Sequence, residues 1–278
     1  MIVSFVKMSG AGNDMILIDH RDGGLRGREE QLARAACDRR EGIGADGLIL
    51  VESDAELDFA VRFFNPDGGE YDLCGNGARC LPLFAKELGL PGPAFRFRSG
   101  SGTHEARLLD AGSARIRLPA VREVRLDVPV RLDDRDVTLD WGDIGVPHAA
   151  YWVEDVTAVP IARWGPILRH APAFGPGGTN VNFVERVGPG RLRIRTFERG
   201  VEGETLACGS GSTVVATIAR ARGFARDRVE LHVASGATLV VHWGSETESV
   251  PWLEGPVRRV FEGRFELGEL LGGGGPAR

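Results

Sequence analysis

The sequence predicts two like α/β halves made by duplication of one domain, and three observations carry that expectation. One phrase is written twice, as Gly69-Glu70-Tyr71-Asp72-Leu73-Cys74-Gly75-Asn76-Gly77 and as Gly203-Glu204-Thr205-Leu206-Ala207-Cys208-Gly209-Ser210-Gly211. The two cysteines stand 134 residues apart in a chain of 278. Matches continue upstream at nearly the same offset: Phe63 with Phe197, Val51-Glu52 with Val184-Glu185, and Gly12 with Gly145. The order of strand-like and helix-like stretches repeats as well. Solenoid repeats recur every ~20–50 residues, so this longer period reads as a domain-scale duplication. The first half is expected over 1–118 with a C-terminal strand, 260–278, returning to it; the second half is expected over 119–259.

Residues 2–8 and 14–19 read as strands flanking the Ser9-Gly10-Ala11-Gly12-Asn13 turn. Glu29 to Arg40 reads as a helix with Leu32, Ala33, Ala36 and Cys37 on one face. Strands follow near 47–52 and 57–64, then a helix from Cys74 to Leu88, in which Pro82 lacks a donor and should produce a kink. Strand-like runs at 94–99, 103–109 and 113–118 end the first half, and Pro119 marks the crossing. The second half then gives strands near 121–130, 136–141 and 148–154, a helix near 160–169, and strands near 181–186 and 191–198. The Cys208–Arg222 helix and strands near 228–233 and 237–243 follow, with a last strand from Arg259 to Leu267. The glycine-rich tail from Gly272 to Pro276 is expected to be mobile.

Composition narrows the function classes. Hydrophobic residues make up 42% and charged residues 26%, the balance of a globular protein with room for two ordinary cores. The formal net charge of −5 gives no general attraction to nucleic acid or to an anionic membrane. No apolar run approaches the ~20 residues that span a bilayer, and Met1 to Lys7 lacks the basic segment followed by an apolar one of a signal peptide, so none is expected. Four cysteines in this length are no disulfide framework, and the compartment they imply is the reducing cytoplasm. Only Lys7 and Lys86 are lysines, one in a strand pattern and one on a helix face, which argues against a pyridoxal phosphate Schiff base.

Both cysteines of the repeated phrase fall where a helix begins. A helix N-terminus presents unpaired N–H groups and about half a positive charge, which favours a thiolate and also binds carboxylates. The glycines beside Cys74 and Cys208 let an anion approach the backbone. Two such helix mouths suit a site with a thiol on either side, which can take a proton from one face of a carbon and return one to the other. Structural readings compete. Cys37 and Cys80 read as buried small hydrophobes, and no cysteine pair has the spacing of a structural zinc site. Neither Gly-rich stretch ends in the Gly-Lys-Ser/Thr of a phosphate loop. His148 is a candidate proton partner whose default reading is a hydrogen-bonded structural histidine. Glu198-Arg199 precedes the second cysteine and reads by default as a surface ion pair. Asn13, Asn65, Asn180 and Asn182 sit in turns, where asparagine is common for backbone reasons.

Taken together and in order, these stretches are specific. Gly10-Ala11-Gly12-Asn13-Asp14, Asn65-Pro66-Asp67-Gly68, Cys74-Gly75-Asn76-Gly77-Ala78-Arg79-Cys80, Gly145-Val146-Pro147-His148, Gly178-Thr179-Asn180-Val181-Asn182-Phe183, Glu198-Arg199-Gly200 and Ala207-Cys208-Gly209-Ser210-Gly211 cover nearly the whole chain. The chain resembles the diaminopimelate epimerase family, the pyridoxal-independent enzymes of bacterial lysine and peptidoglycan precursor synthesis. The resemblance implies two pseudo-symmetric α/β (α+β) domains, each a curled, mostly antiparallel sheet around a central helix, with the active site in the cleft. It implies that Cys74 and Cys208 are the paired acid and base. It also implies that Asn13, Asn65, Asn180, Glu198 and Arg199 hold the amino acid, especially its distal end. The backbone of Gly75-Asn76 and Gly209-Ser210 would hold the reacting carboxylate. Gly47, Gly69, Val146 and Pro82 depart from the family pattern.

The expected function is interconversion of LL- and meso-diaminopimelate by one thiolate and one thiol, with His148 and Glu198 as candidates for setting that difference. No cofactor and no metal are expected, the partner is a small-molecule substrate, and a homodimer is left open. Two other readings stand beside it: a proline- or histidine-type racemase of the same fold, and a non-catalytic redox-responsive binding module. Arg199 weighs against the first, because a guanidinium suits a second, distal carboxylate.

Overall fold

The computed structural model describes residues 1–244 and 249–272. Most of the glycine-rich tail, residues 273–278, lies outside the described residues. The chain divides into two compact units, residues 1–116 with 256 onward, and residues 117–255.

Unit 1 contains β1 (Ile2–Gly10), β2 (Asn13–Asp19), α1 (Glu29–Cys37), β3 (Gly47–Glu52), β4 (Phe59–Phe64), β5 (Glu70–Tyr71), α2 (Gly75–Glu87), β6 (Ala94–Ser99), β7 (Gly102–Asp110) and β8 (Ser113–Arg117). Unit 2 contains β9 (Glu123–Leu132), β10 (Arg135–Asp143), β11 (Pro147–Val153), α3 (Ile161–Arg169), β12 (Asn180–Gly188), β13 (Arg191–Glu198), β14 (Gly203–Thr205), α4 (Gly209–Ala221), β15 (Arg228–His232), β16 (Thr238–His242) and the start of β17 (Trp252–Glu266). The remainder of β17 and the short α5 (Leu267–Gly272) belong to unit 1.

The pairing scheme is the same in both units. In unit 1 the pairs β1–β2, β3–β4, β4–β5 and β6–β7 are antiparallel, while β2–β3 and β4–β6 are parallel. In unit 2 β10–β11, β12–β13, β13–β14 and β15–β16 are antiparallel, while β11–β12 and β13–β15 are parallel. Shifting α2 by 134 residues gives the bounds of α4, and shifting β1 by 133 gives those of β10. Each mostly antiparallel sheet curls about one buried helix. Helix α2 packs against β1, β2 and β7, and α4 against β10, β11, β12 and β16. Nine residues of each are buried, Asn76 to Ala85 in α2 and Gly209 to Ala219 in α4. Such burial suits a helix that is apolar around most of its circumference.

Both central helices also stop alike. Gly89 and Gly223 take φ of 79° and 73°, and the following Leu90 and Phe224 N–H groups reach back to the Ala85 and Ala219 carbonyls. A left-handed residue at this point closes a helix, and glycine takes that conformation without a steric penalty. Helix α2 continues through Pro82 to Glu87. Helix α1 is shorter than its sequence pattern indicates. It stops at Cys37 because the Asp38 carboxylate accepts the Arg40 and Glu41 backbone N–H groups, both at 2.7 Å, and bends the chain into a turn. Its apolar face, Leu32, Ala33, Ala36 and Cys37, joins Phe5, Ile16, Ile18, Leu48 and Phe64 in the core of unit 1. In unit 2, Leu168 of α3 packs with Trp141, Val181, Phe183 and Phe197.

Candidate active site

Each cysteine of the repeated phrase is the N-cap of a central helix, with extended backbone at φ −114° for Cys74 and −122° for Cys208. Serine, threonine, aspartate or asparagine fill this position in most helices. Here both halves place a thiol on the helix axis, next to N–H groups that no carbonyl of the helix can satisfy.

In unit 1 the half-buried Cys74 Sγ accepts the Gly77 N–H at 3.4 Å and lies 3.7 Å from Asn13 Oδ1. Asn13 is fixed from behind, its Nδ2 donating to Asp46 Oδ2 at 2.7 Å. Asp46 also accepts the Asp14 N–H and pairs with Arg39 at 2.6 Å. Asp14 pairs with Lys7 and Arg39, both at 2.8 Å. Burial pushes the Asp14 carboxyl up, but hydrogen bonds from Arg39 and Lys7 outweigh it and hold the group well below the usual carboxylate range. The Tyr71 phenol, held far above its usual value by burial and by the adjacent Cys74, stays neutral. Gly10 allows the β1–β2 turn to meet the helix: a Cβ there would lie 2.3 Å from the Asn76 carbonyl oxygen. Gly47 has no room for a larger residue, since a Cβ would lie 2.9 Å from the Phe64 carbonyl oxygen. Asn65 is exposed in the turn after β4, where its N–H bonds Gly69 O at 2.8 Å.

In unit 2 a chain of hydrogen bonds runs from the buried histidine to the thiol. His148 Nε2 lies 3.0 Å from Ser210 Oγ, and Ser210 Oγ lies 3.4 Å from Cys208 Sγ. Asn182 Nδ2 donates to Ala149 O at 2.9 Å, stands 3.5 Å from His148 Nδ1, and its Oδ1 accepts Thr196 Oγ1 at 3.0 Å. Burial, then the nearby Arg199 charge, pushes His148 down to about 3, so its imidazole is neutral. The Asn182 amide near Nδ1 suits the tautomer that carries its proton on Nε2, toward Ser210. Asn180 joins the neighbouring turns, donating to Pro147 O at 3.0 Å and accepting the Arg199 N–H at 2.8 Å. Arg199 is an exposed residue. Burial raises the Glu198 carboxyl, with Thr205 opposing. Gly211 lets α4 approach this group; a Cβ there would lie 2.5 Å from Asn182 Oδ1 and 3.3 Å from Cys208 Sγ.

Unit 1 thus gathers Asn13, Cys74, Gly75 and Asn76, and unit 2 gathers His148, Asn180, Cys208, Gly209 and Ser210. Asn65, Glu198 and Arg199 lie at turns or strand ends. The sequence reading passed over Asp46, Tyr71, Arg79 and Thr196. Only Arg79 carried a signal, as the one charged residue between Gly75 and Ala85 of its helix. A surface cleft of ≈ 590 Å³ in unit 2, lined by Asp127, Asp140, Tyr151, Trp152 and Arg222 among others, touches none of these residues. The chemistry of the helix mouths, rather than cleft volume, marks the candidate site. Among the described residues no three or more His, Cys, Asp or Glu side chains are grouped to hold a metal ion, and no helix is long and apolar enough to cross a membrane.

The diaminopimelate epimerase family model matches residues 5–120 and 141–260. Diaminopimelate epimerase of Chlorobaculum tepidum is 40% identical over 263 residues, covering 94% of this chain and 100% of that protein. The Aquifex aeolicus diaminopimelate epimerase is 37% identical over 280 residues, covering 95% of this chain and 98% of the relative. Among solved structures, the Bacillus anthracis phenazine biosynthesis protein of the PhzF family superposes with a TM-score of 0.74 at 16% identity, over 96% of this chain and 100% of that one. That likeness is one of fold alone.

Proposed function

The chain belongs to the diaminopimelate epimerase family, and from that premise we propose that it interconverts LL- and meso-diaminopimelate by a two-base reaction of Cys74 and Cys208. The observation that carries the reading is the repeated helix N-cap: both halves of a duplicated fold spend this position on a thiol.

An amino-acid α-hydrogen is far less acidic than a thiol, so proton removal needs the developing negative charge to be stabilised as it forms. The backbone N–H groups at the helix starts, Gly75-Asn76 and Gly209-Ser210, are suited to hold the substrate carboxylate, with the positive helix ends facing it. One sulfur, as thiolate, removes the α-proton; the other, as thiol, delivers a proton to the opposite face. The two must therefore address opposite faces of one α-carbon. The neutral His148 supports this through Ser210, whose hydroxyl can donate to a thiolate at Cys208 or accept from its thiol. Asn13, Asn65, Asn180, Glu198 and Arg199 are assigned to the substrate's polar groups, with Arg199 offering a planar fork to the distal carboxylate. A reducing cytoplasm suits two thiols that must stay unoxidised.

The test is deuterium wash-in with LL-diaminopimelate as sole substrate. Solvent deuterium should enter the α-position with concurrent formation of the meso isomer. Enzyme that leaves the substrate unlabelled and uninverted, under reducing conditions, would remove the proposal.

A further inference from the structure

Arg79 has no use in the reaction as set out above, yet its position is costly. It is 0% exposed and is among the largest fully buried side chains of the protein. Its Nη1 donates to Gly75 O at 3.2 Å and its Nη2 to Asn76 Oδ1 at 2.9 Å, while its Nε has no partner. Among the described residues no carboxylate pairs with it. A buried, incompletely bonded cation is expensive. The guanidinium also folds back toward the start of α2, the positive end of the helix, where a cation is disfavoured. Burial lowers its pKa only to about 10, opposed by the adjacent thiols of Cys80 and Cys74, so the charge persists at neutral pH. Packing alone would be served better by leucine or methionine.

The duplication supplies an internal control. Five residues after Cys208, in the slot equivalent to Arg79, stands Thr213, whose hydroxyl donates to Gly209 O at 2.9 Å. Both halves keep a side chain that ties down the carbonyl of the first helical residue. Only the Cys74 half does so with a charge. A second local feature of that half is the Asn13 amide, which Asp46 locks with its oxygen toward Cys74. A carbonyl oxygen accepts from a thiol but repels a thiolate, so Cys74 needs a compensating positive group to ionise.

We propose that Arg79 is a positioning residue that holds the Gly75-Asn76 turn and, by its buried charge, brings the Cys74 thiolate within reach at neutral pH. The inference rests on Cys74 being one of the two catalytic thiols. Besides Arg79, the groups bearing on Cys74 include the Gly77 N–H, Asn13 Oδ1, the Tyr71 hydroxyl and the Cys80 thiol, which burial pushes up to about 12. On the strands packed against α2, Lys7 and Asp14 are paired with each other, and His104 is bonded to the Ser99 and Ser101 hydroxyls. Glu105 of β7 also has an interaction of its own.

The experiment measures Cys74 alkylation by iodoacetamide as a function of pH, read peptide by peptide by mass spectrometry with Cys208 as internal comparison. It is run on the wild type, Arg79→Gln and Arg79→Lys, with circular dichroism to establish folding. Glutamine retains an N–H donor for the turn and drops the charge; lysine retains the charge. Arg79→Gln should raise the Cys74 midpoint by about one pH unit, slowing its alkylation about tenfold below both midpoints, and should leave the Cys208 midpoint in place. Arg79→Lys should stay near the wild type. A folded Arg79→Gln whose Cys74 profile superimposes on the wild type would overturn the proposal, as would a lysine variant shifted equally. If the glutamine variant does not fold, the wild type still decides: its Cys74 midpoint must lie below the ~8.5 of a free thiol, and a value at or above that overturns the inference. Alkylation needs no turnover, so the deuterium assay run alongside separates the claims. Epimerisation with an Arg79-independent Cys74 overturns this inference alone, and an Arg79-dependent Cys74 without epimerisation overturns only the functional reading.

Discussion

Acid should destabilise unit 2 through His148, and the size of the effect follows from the residue's surroundings. The ring is fully buried, and burial together with Arg199 moves it from 6.5 to about 3. The folded state therefore refuses a proton that the unfolded chain accepts. Stability from this residue is complete above about pH 6.5 and is lost as the pH falls toward about 3. At about pH 4.5 the loss is roughly 2 pH units, on the order of 3 kcal/mol. A His148→Gln variant lacks this dependence. It should be less stable than the wild type at about pH 7.5, where the Ser210 and Asn182 contacts are lost, and the gap should close by about 3 kcal/mol at about pH 4.5. Other groups, including Glu198 with its opposite sign, are common to both proteins and cancel to first order in the difference. Urea unfolding followed by tryptophan fluorescence is the appropriate assay, because Trp141, Trp152, Trp164, Trp243 and Trp252 all fall within unit 2. A gap between the two proteins that does not change with pH, or an NMR titration placing the His148 midpoint near 6.5, would refute the reasoning.

Replacing either Cys74 or Cys208 with alanine should abolish epimerisation in both directions, and near-wild-type turnover by either variant would end the two-base reading. Arg199→Met should lower kcat/KM for diaminopimelate by about one to two orders of magnitude, the value of a charge-assisted pair at roughly 1.5–3 kcal/mol. Its melting temperature should hold, since Arg199 is an exposed residue; Arg199→Lys should recover activity only in part, and an unchanged kcat/KM would make Arg199 structural. Gly211→Ala should cost about 1–3 kcal/mol by overpacking, because its Cβ would lie 2.5 Å from Asn182 Oδ1 and 3.2 Å from His148 Nδ1. Equal urea midpoints for Gly211→Ala and the wild type would show that α4 can shift to make room.

Much of the fold was legible where a local rule governed it. The Gly-x-Gly phrase marked both helix starts, and the periodic Leu32, Ala33, Ala36 and Cys37 marked the buried face of α1. The end of α1 was not legible, because the Asp38 turn competes with helix through side-chain hydrogen bonds rather than through hydrophobic period. The strands β5 and β14, of two and three residues, are too short to show any alternation. The support around the thiols was hidden for a different reason. Asp46 reaches Asn13 across 33 residues through the parallel β2–β3 pairing, and Thr196 reaches Asn182 across the β12–β13 ladder. Such contacts depend on register, which spacing along the chain does not encode. The apolar run around Arg79 pointed to an enclosed helix, but the burial of Arg79 itself was not legible, because a charged side chain one turn into a helix ordinarily reaches solvent.

The two units differ in where their leading strand comes from. In unit 2, β9 runs straight into β10 through a two-residue turn, with Leu132 opposite Arg135 and Asp133 at φ 52°. In unit 1 the strand in the same place beside β1 is the end of β17, with Ile2 opposite Glu266. A ribosome therefore delivers every residue of unit 2 before unit 1 has its last strand. During synthesis β1 waits with one edge unpaired, a hazard for strand-on-strand association between nascent chains. Leu267 N–H bonds Met1 O at 2.9 Å, so the two ends of that split hairpin already meet. Moving residues 257–266 ahead of Met1, with an Asn-Gly turn to join them, would restore the hairpin that unit 2 retains and let unit 1 complete itself first.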